Sequence, residues 1–175
     1  MKRFLVVIDM QHDFIDGSLG TWEAQQIIPA AAARIRALVA QGYECIATMD
    51  THFGNYLNTQ EGRRLPVVHC AEGTSGWQIH ETIREAMGEC RCILKSAFGS
   101  TELPGYIARR ADGQETEIEL MGLCTDICVV SNALLLKSFL PEAHIRVNSG
   151  CCAGVTPDRH RAALETMASC QIEII

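Results

Sequence analysis

A chain of 175 residues, 47% hydrophobic and 21% charged, is long and apolar enough for one full core, which excludes a disordered chain or an array of small modules. Its formal net charge of −6, with no concentrated basic stripe, excludes nucleic acid and membrane surfaces as main partners and leaves small molecules. Nine cysteines, an odd number, suit a reducing cytoplasm better than a disulfide framework, and no paired Cys-x-x-Cys zinc pattern appears among them.

The first apolar run stops at Asp9 without a small-residue cleavage site, so it reads as a strand and not as a signal peptide. In chain order, residues 4–9, 44–49, 91–95, 117–121, 144–148 and 171–175 read as strands. Stretches over 28–40, 76–88, 101–110, 128–140 and 157–169 read as helices between them. The last helix is the best punctuated, with Thr156 as N-cap and Pro157 in its first turn. Gly42, Gly122 and Gly150 mark junctions, and residues 51–75 form the only long irregular stretch, a length that is usually functional. The alternation predicts an α/β fold: a single domain over 1–175, a three-layer doubly wound sandwich with a mainly parallel six-stranded sheet.

Open parallel sheets bind ligands beyond the carboxyl ends of their strands, so the polar residues that close each run belong together. Asp9 closes the first, Asp50 the second and Lys95 the third, and the turn from Cys124 to Cys128 follows the fourth. Cys128 falls where the chain enters an apolar helix. A thiol there lies near the positive end of the helix dipole, which favours thiolate. Carboxylate, ammonium and thiol together make a base, an electrostatic partner and a nucleophile, a set suited to acyl transfer. The competing readings are plain: cysteine is a common core filler, and Asp9 with Lys95 would serve equally as a structural ion pair. Asp126, inside the same turn, reads as a helix cap or an orienting residue, and Asn132 fits either job.

The irregular stretch carries Asp50-Thr-His52, then Glu61, then His69. Two imidazoles and two carboxylates suit zinc, manganese or iron, and residues two apart leaving a strand point the same way. By spacing alone, a set of solvated polar residues is the commoner outcome.

These residues resemble the cysteine hydrolases of the isochorismatase-like superfamily, and within it the nicotinamidases. The resemblance spans nearly the whole chain. It rests on Val-Val-Ile-Asp-Met-Gln-His-Asp-Phe at 6–14, on Lys95-Ser-Ala-Phe-Gly-Ser-Thr101, and on Gly122-Leu-Cys-Thr-Asp-Ile-Cys-Val129. It implies Asp9 as general base, Cys128 as nucleophile and Lys95 as the cation between them. It also implies a non-proline cis peptide at Leu123–Cys124, with the amides of Cys124 and Cys128 as oxyanion hole. It further implies one divalent metal ion, zinc first among the candidates, held by Asp50, His52, Glu61 and His69 against a pyridine nitrogen. The activity implied is hydrolysis of a small amide through a thioester, nicotinamide to nicotinate and ammonia, in a cytoplasmic homodimer or homotetramer serving NAD salvage.

Two departures fall where specificity is decided. Arg64-Leu-Pro-Val-Val-His69 lacks the aromatic residue that nicotinamidases commonly carry before the last histidine, and the lysine segment is shortened. Phe14, Phe98 and Trp77 are the aromatics expected to line the substrate pocket instead. The alternatives are a relative acting on N-carbamoyl amines or ureido compounds, a phospho-receiver module, or a redox or metal sensor. The last two leave the joint occurrence of Asp9, Lys95, Cys128 and the metal set unexplained.

Overall fold

The computed structural model describes residues 1–175. Strand β1 (Lys2–Ile8) lies at the centre of a six-stranded sheet with β2 (Glu44–Asp50), β3 (Arg91–Lys95), β4 (Thr116–Leu123), β5 (His144–Ala153) and β6 (Glu173–Ile174), in the order β3-β2-β1-β4-β5-β6. Every pairing is parallel. The order reverses between β1 and β4, and right-handed crossovers on either side of that point put helices on both faces. Helices α3 (Ile28–Ala40) and α5 (Glu81–Met87) pack together on one face. On the other, α6 (Glu102–Ala111), α7 (Val130–Phe139) and α8 (Pro157–Ser169) pack in sequence. Three short helices, α1 (His12–Ile15), α2 (Trp22–Gln26) and α4 (Gln60–Arg64), lie in the connections. No helix is long and apolar enough to cross a membrane.

The doubly wound six-stranded sandwich predicted from strand-helix alternation is the fold observed. Phe4 to Ile8 are at most 1% exposed, as a strand covered on both faces requires, and they anchor one apolar core. Thr156 does cap α8, accepting from the Arg159 amide.

Several boundaries differ from expectation. Gly122 does not end its strand: β4 runs on to Leu123, and β5 runs past 148 to Ala153. Cys152 and Ala153 pair with Gly122 and Leu123 beyond a register shift. The helix expected over 128–140 opens instead as a π-turn (Thr125–Val129) that leads into α7. The helix expected over 76–88 shrinks to α5, because Ile79 bridges to Gln11 and the His80 amide donates to the Met10 carbonyl. The irregular stretch 51–75 contains a 3-10 turn (Tyr56–Asn58) and α4, and α1 and α2 are unpredicted.

Gly122 has φ +129, and a Cβ there would run into the Ile8 carbonyl oxygen across the β1–β4 ladder. Backbone on a central strand cannot step aside. Gly122→Ala is expected to cost about 3 kcal/mol or more, from strain plus overpacking. A urea midpoint within error of the parent would contradict this.

On the α3 side, Glu119 of β4 is completely buried and accepts hydrogen bonds from Arg34 at 2.8 and 2.7 Å and from Arg146 at 3.0 Å. Burial alone would raise its carboxyl, but the Arg34 guanidinium and then Arg146 outweigh burial and hold it below the usual range. A depressed folded pKa contributes stability above the unfolded value, and that contribution is lost as pH falls through the folded one. Glu119→Gln is therefore expected to flatten the loss of stability between about pH 5 and 3, measured as urea midpoint against pH. Parallel curves for the two proteins would refute the assignment.

Candidate active site

Four strand ends deliver the polar groups to one edge of the sheet. Asp9 follows β1 with φ +46, a left-handed conformation uncommon outside glycine, which turns its fully buried carboxylate inward. Thr48 of β2 donates to Asp9 Oδ1 at 2.6 Å. Lys95, the last residue of β3, places Nζ 2.6 Å from Asp9 Oδ2, 3.1 Å from Asp50 Oδ1 and 3.5 Å from Cys128 Sγ. Cys128 is 4% exposed on the π-turn beyond β4, and the Leu123–Cys124 peptide is cis.

The electrostatics follow from burial among charges. Burial pushes the Cys128 thiol well above its ordinary pKa; negative Asp9 adds to this and Lys95 opposes it. Burial and the Asp9 carboxylate thus oppose the preference for thiolate expected from the helix dipole. Burial likewise raises the Asp9 carboxyl, against the pull of Lys95. For Lys95, burial favours the neutral amine, but the carboxylates of Asp9 and Asp50 beside it hold it firmly protonated. A cation, a carboxylate and a thiol sharing one dry corner can move the thiol proton to the carboxylate with no net change of charge.

Lys95 also joins this corner to the second set. Asp50, His52, Glu61 and His69 bring one ligand atom each within 4.8 Å of one another. His52 Nε2 lies 2.9 Å from Asp50 Oδ2 and 3.7 Å from Glu61 Oε1, and His69 Nε2 lies 3.6 and 3.7 Å from the same oxygens. Ligands about 2.1 Å from a common ion stand about 3 to 3.5 Å apart, so the set is close to a coordination shell. His69 Nδ1 is 2.8 Å from the Val67 carbonyl, which fixes the tautomer with the Nε2 lone pair facing inward. His52 Nε2 is buried without a hydrogen-bond partner, a costly state that a bound cation relieves. The residues therefore fit a divalent metal. Burial alone would raise the Asp50 carboxyl, but the facing His52 and His69 imidazoles, with Lys95 behind them, outweigh it and hold Asp50 below the usual carboxylate range.

A cavity of about 700 Å³ opens beside the metal-ligating set, and its lining includes Ser96 and Ile127, the chain neighbours of Lys95 and Cys128. His52 and Glu61 reach it from the metal side, and Phe53, Tyr56, Leu65, Phe98 and Ile127 give it apolar walls. Of the three expected aromatics, only Phe98 lines it. Phe14 is buried against the His69 ring at 5.5 Å, and Trp77 is drawn away by its indole N–H, which donates to Thr51 Oγ1 at 2.9 Å.

Several residues support this arrangement, and of these Gln11, Asp13 and Thr48 escaped the sequence reading. Gln11 clamps the end of β2, donating to the Asp50 carbonyl at 2.8 Å and accepting from the Asp50 amide at 2.7 Å. Asp13 accepts from the Cys70 amide at 2.7 Å and so fixes the residue after His69. Asn132, fully buried, accepts from Ser100 N at 2.9 Å and donates to the carbonyls of Cys128 at 2.8 Å and Phe98 at 3.2 Å. Asp126 orients the turn by accepting from Val155 N at 2.9 Å and caps nothing in α7. His160, unassigned from sequence, has Nδ1 2.7 Å from the Thr125 hydroxyl. The one local signal for Thr48 and Asn132 was a polar residue inside an apolar run.

The isochorismatase domain family matches residues 3–175. The nicotinamidase/pyrazinamidase of Mycobacterium tuberculosis is 25% identical over 189 residues, covering 99% of this chain and 98% of that protein. Among solved structures, the pyrazinamidase of Pyrococcus horikoshii in complex with zinc aligns with TM-score 0.81 at 27% identity, covering 100% and 99% of the two chains. N-carbamoylsarcosine amidase from Thermoplasma acidophilum aligns with TM-score 0.78 at 26% identity, covering 99% and 95%. With a family match over nearly its full length and the same architecture in these neighbours, this chain belongs to the isochorismatase family.

Proposed function

We propose that this protein hydrolyses a small amide through a cysteine thioester, with nicotinamide, cleaved to nicotinate and ammonia, as the first substrate to test. The observation that carries the reading is the single ammonium of Lys95, in contact with Asp9, Cys128 and Asp50, which fuses a thiol–carboxylate pair to a metal-ligating set. Asp9 takes the Cys128 proton as Sγ attacks the amide carbonyl, and the backbone amides of Cys124 and Cys128 receive the oxyanion. Asp9 then returns the proton to the departing nitrogen, and ammonia leaves. In the second half Asp9 draws a proton from water, which attacks the thioester and frees Cys128. Lys95 stays protonated throughout and balances the charge that passes between Asp9 and sulfur. A divalent ion held by Asp50, His52, Glu61 and His69, zinc before manganese or iron, would supply an electrophilic point for a pyridine nitrogen or similar donor. NAD salvage, a cytoplasmic location and a homodimer or homotetramer belong to the same reading and rest on the family resemblance.

The likeness to N-carbamoylsarcosine amidase supports a second substrate class, N-carbamoyl amines, on the same chemistry. The test is ammonia release from nicotinamide and from N-carbamoylsarcosine by zinc-loaded protein, beside a chelated sample and Cys128→Ala. Nicotinamide turnover lost in both controls supports the metal-assisted nicotinamidase. Release from the carbamoyl compound alone moves the substrate to the second class. No release from any amide, with reversible thiol oxidation or metal uptake, favours a sensor.

A further inference from the structure

Resting on the amidohydrolase reading, we infer that the substrate carries a carboxylate remote from its scissile amide, and that Arg64 binds it.

Charge bookkeeping around the cavity leads there. Asp9 is matched by Lys95, and the Asp50 and Glu61 carboxylates together balance a divalent cation. What is left is Arg64, the one cation on the cavity wall without a counter-charge. Its position is set by α4, where it follows Glu61 by three residues and so shares a helix face with it. The two do not pair: the Glu61 carboxylate lies instead 3.7 Å from both His52 and His69. The preceding Arg63 is occupied, donating to the Asn58 carbonyl on the far side of the turn. Arg64 is thus an exposed, unpaired cation on the cavity lining, in a protein whose overall charge is negative.

The neighbours of Arg64 suit an anion. Gln60, four residues earlier on the same helix face, and Asn55 also line the cavity and add neutral amide donors. The cavity also has apolar lining, from Phe98 and Ile127 and from Leu65 next to Arg64. A planar guanidinium beside neutral donors matches a carboxylate bidentately, and the apolar wall accepts the body of the substrate. Size agrees. A volume of about 700 Å³ falls in the range of pockets that hold drug-sized ligands and leaves room beyond a lone pyridine carboxamide. The reacting carbonyl must reach Cys128 on the π-turn, next to the cavity-lining Ile127, so the remaining volume toward α4 is filled by whatever the substrate carries at its other end.

The test compares matched amides: pyridine carboxamides bearing a ring carboxylate or carboxymethyl group, and their methyl esters, which keep shape and lose charge. For the native protein, kcat/KM for the acid is expected to exceed that for the ester by about tenfold or more, an advantage carried mainly by KM that shrinks as salt rises. In Arg64→Met the ratio of acid to ester is expected to fall to about unity, and Arg64→Lys to restore it in part. Binding of the same pairs to zinc-loaded Cys128→Ala, measured by calorimetry, reads the preference without turnover. Equal handling of acid and ester by the native protein, or an acid preference that survives Arg64→Met, overturns the inference even if nicotinamide is hydrolysed. Arg64-dependent binding of the acid without hydrolysis of any amide would sustain the anion site and overturn the amidohydrolase reading.

Discussion

Cys128→Ala is expected to lower amide turnover by about 10⁴-fold or more, since a nucleophile has no substitute when the covalent intermediate is the route. The fold should survive. Cys128 is buried at 4% exposure, and trading its sulfur for hydrogen leaves a small void costing about 1 kcal/mol, or 2–4 °C in Tm for a domain of this size. Lys95 loses a contact at 3.5 Å but keeps Asp9 and Asp50, so no charge is stranded. The informative companion is Cys152→Ala. That thiol is also buried, with its pKa pushed up to about 12 by burial, yet it pairs with the Gly122 register and faces no base or ammonium. If both variants lose activity, burial and packing explain the loss; if only Cys128→Ala does, the chemistry at sulfur explains it. Near-native turnover by Cys128→Ala would end the thioester mechanism.

Lys95→Met is expected to damage stability and activity together. Removing one partner of a buried ion pair strands the other, typically at a cost of 3–5 kcal/mol, and here two carboxylates lose their cation. For a domain of this length the Tm should fall on the order of 10 °C. The pH dependence identifies the cause. Without the ammonium, the Asp9 carboxyl, already raised by burial, rises further and binds its proton more tightly folded than unfolded. Such a group stabilises the fold at low pH and loses that contribution as pH rises, so the deficit should narrow on acidification. Turnover should vanish as well, because a protonated Asp9 cannot accept the thiol proton. A small Tm change with no pH dependence would mean that Lys95 is a bystander.

The strand ends were legible because each is a single polar residue closing an apolar run, and parallel sheets gather such residues at one edge. Asp9, Asp50 and Lys95 needed no more than that. The extension of β5 was hidden because Asn148-Ser-Gly150 reads locally as a turn, while the pairing that keeps it extended is with Gly122 and Leu123 of another strand. The π-turn was hidden for a similar reason: a buried apolar run from Cys128 reads as ordinary helix. Glu61 was visible as one of four candidate ligands in the irregular stretch, but spacing alone left a solvated set the commoner outcome, since its nearness to His69 depends on how α4 folds back. Gln11 and Asn132 are separated from Asp50 and Ser100 by 39 and 32 residues, and a sequence that shows a donor does not show its acceptor. Phe14 and Trp77 were misplaced because ring type predicts burial and says nothing about which side of His69 or Thr51 a ring will take.

Asn132 ties selectivity to rate. One amide nitrogen, Nδ2, donates both to the carbonyl of the nucleophile and to the carbonyl of Phe98 in the cavity wall. A mutation that reshapes the wall near Phe98 also tilts the residue that attacks, so a gain in new substrates there comes with a loss of speed on old ones. The α4 wall packs on the Tyr56–Asn58 turn and shares no such link with Cys128. Divergence of substrate range among descendants of this chain should therefore accumulate at Gln60 and Arg64, the α4 positions on either side of Glu61 that line the cavity without joining the metal-ligating set.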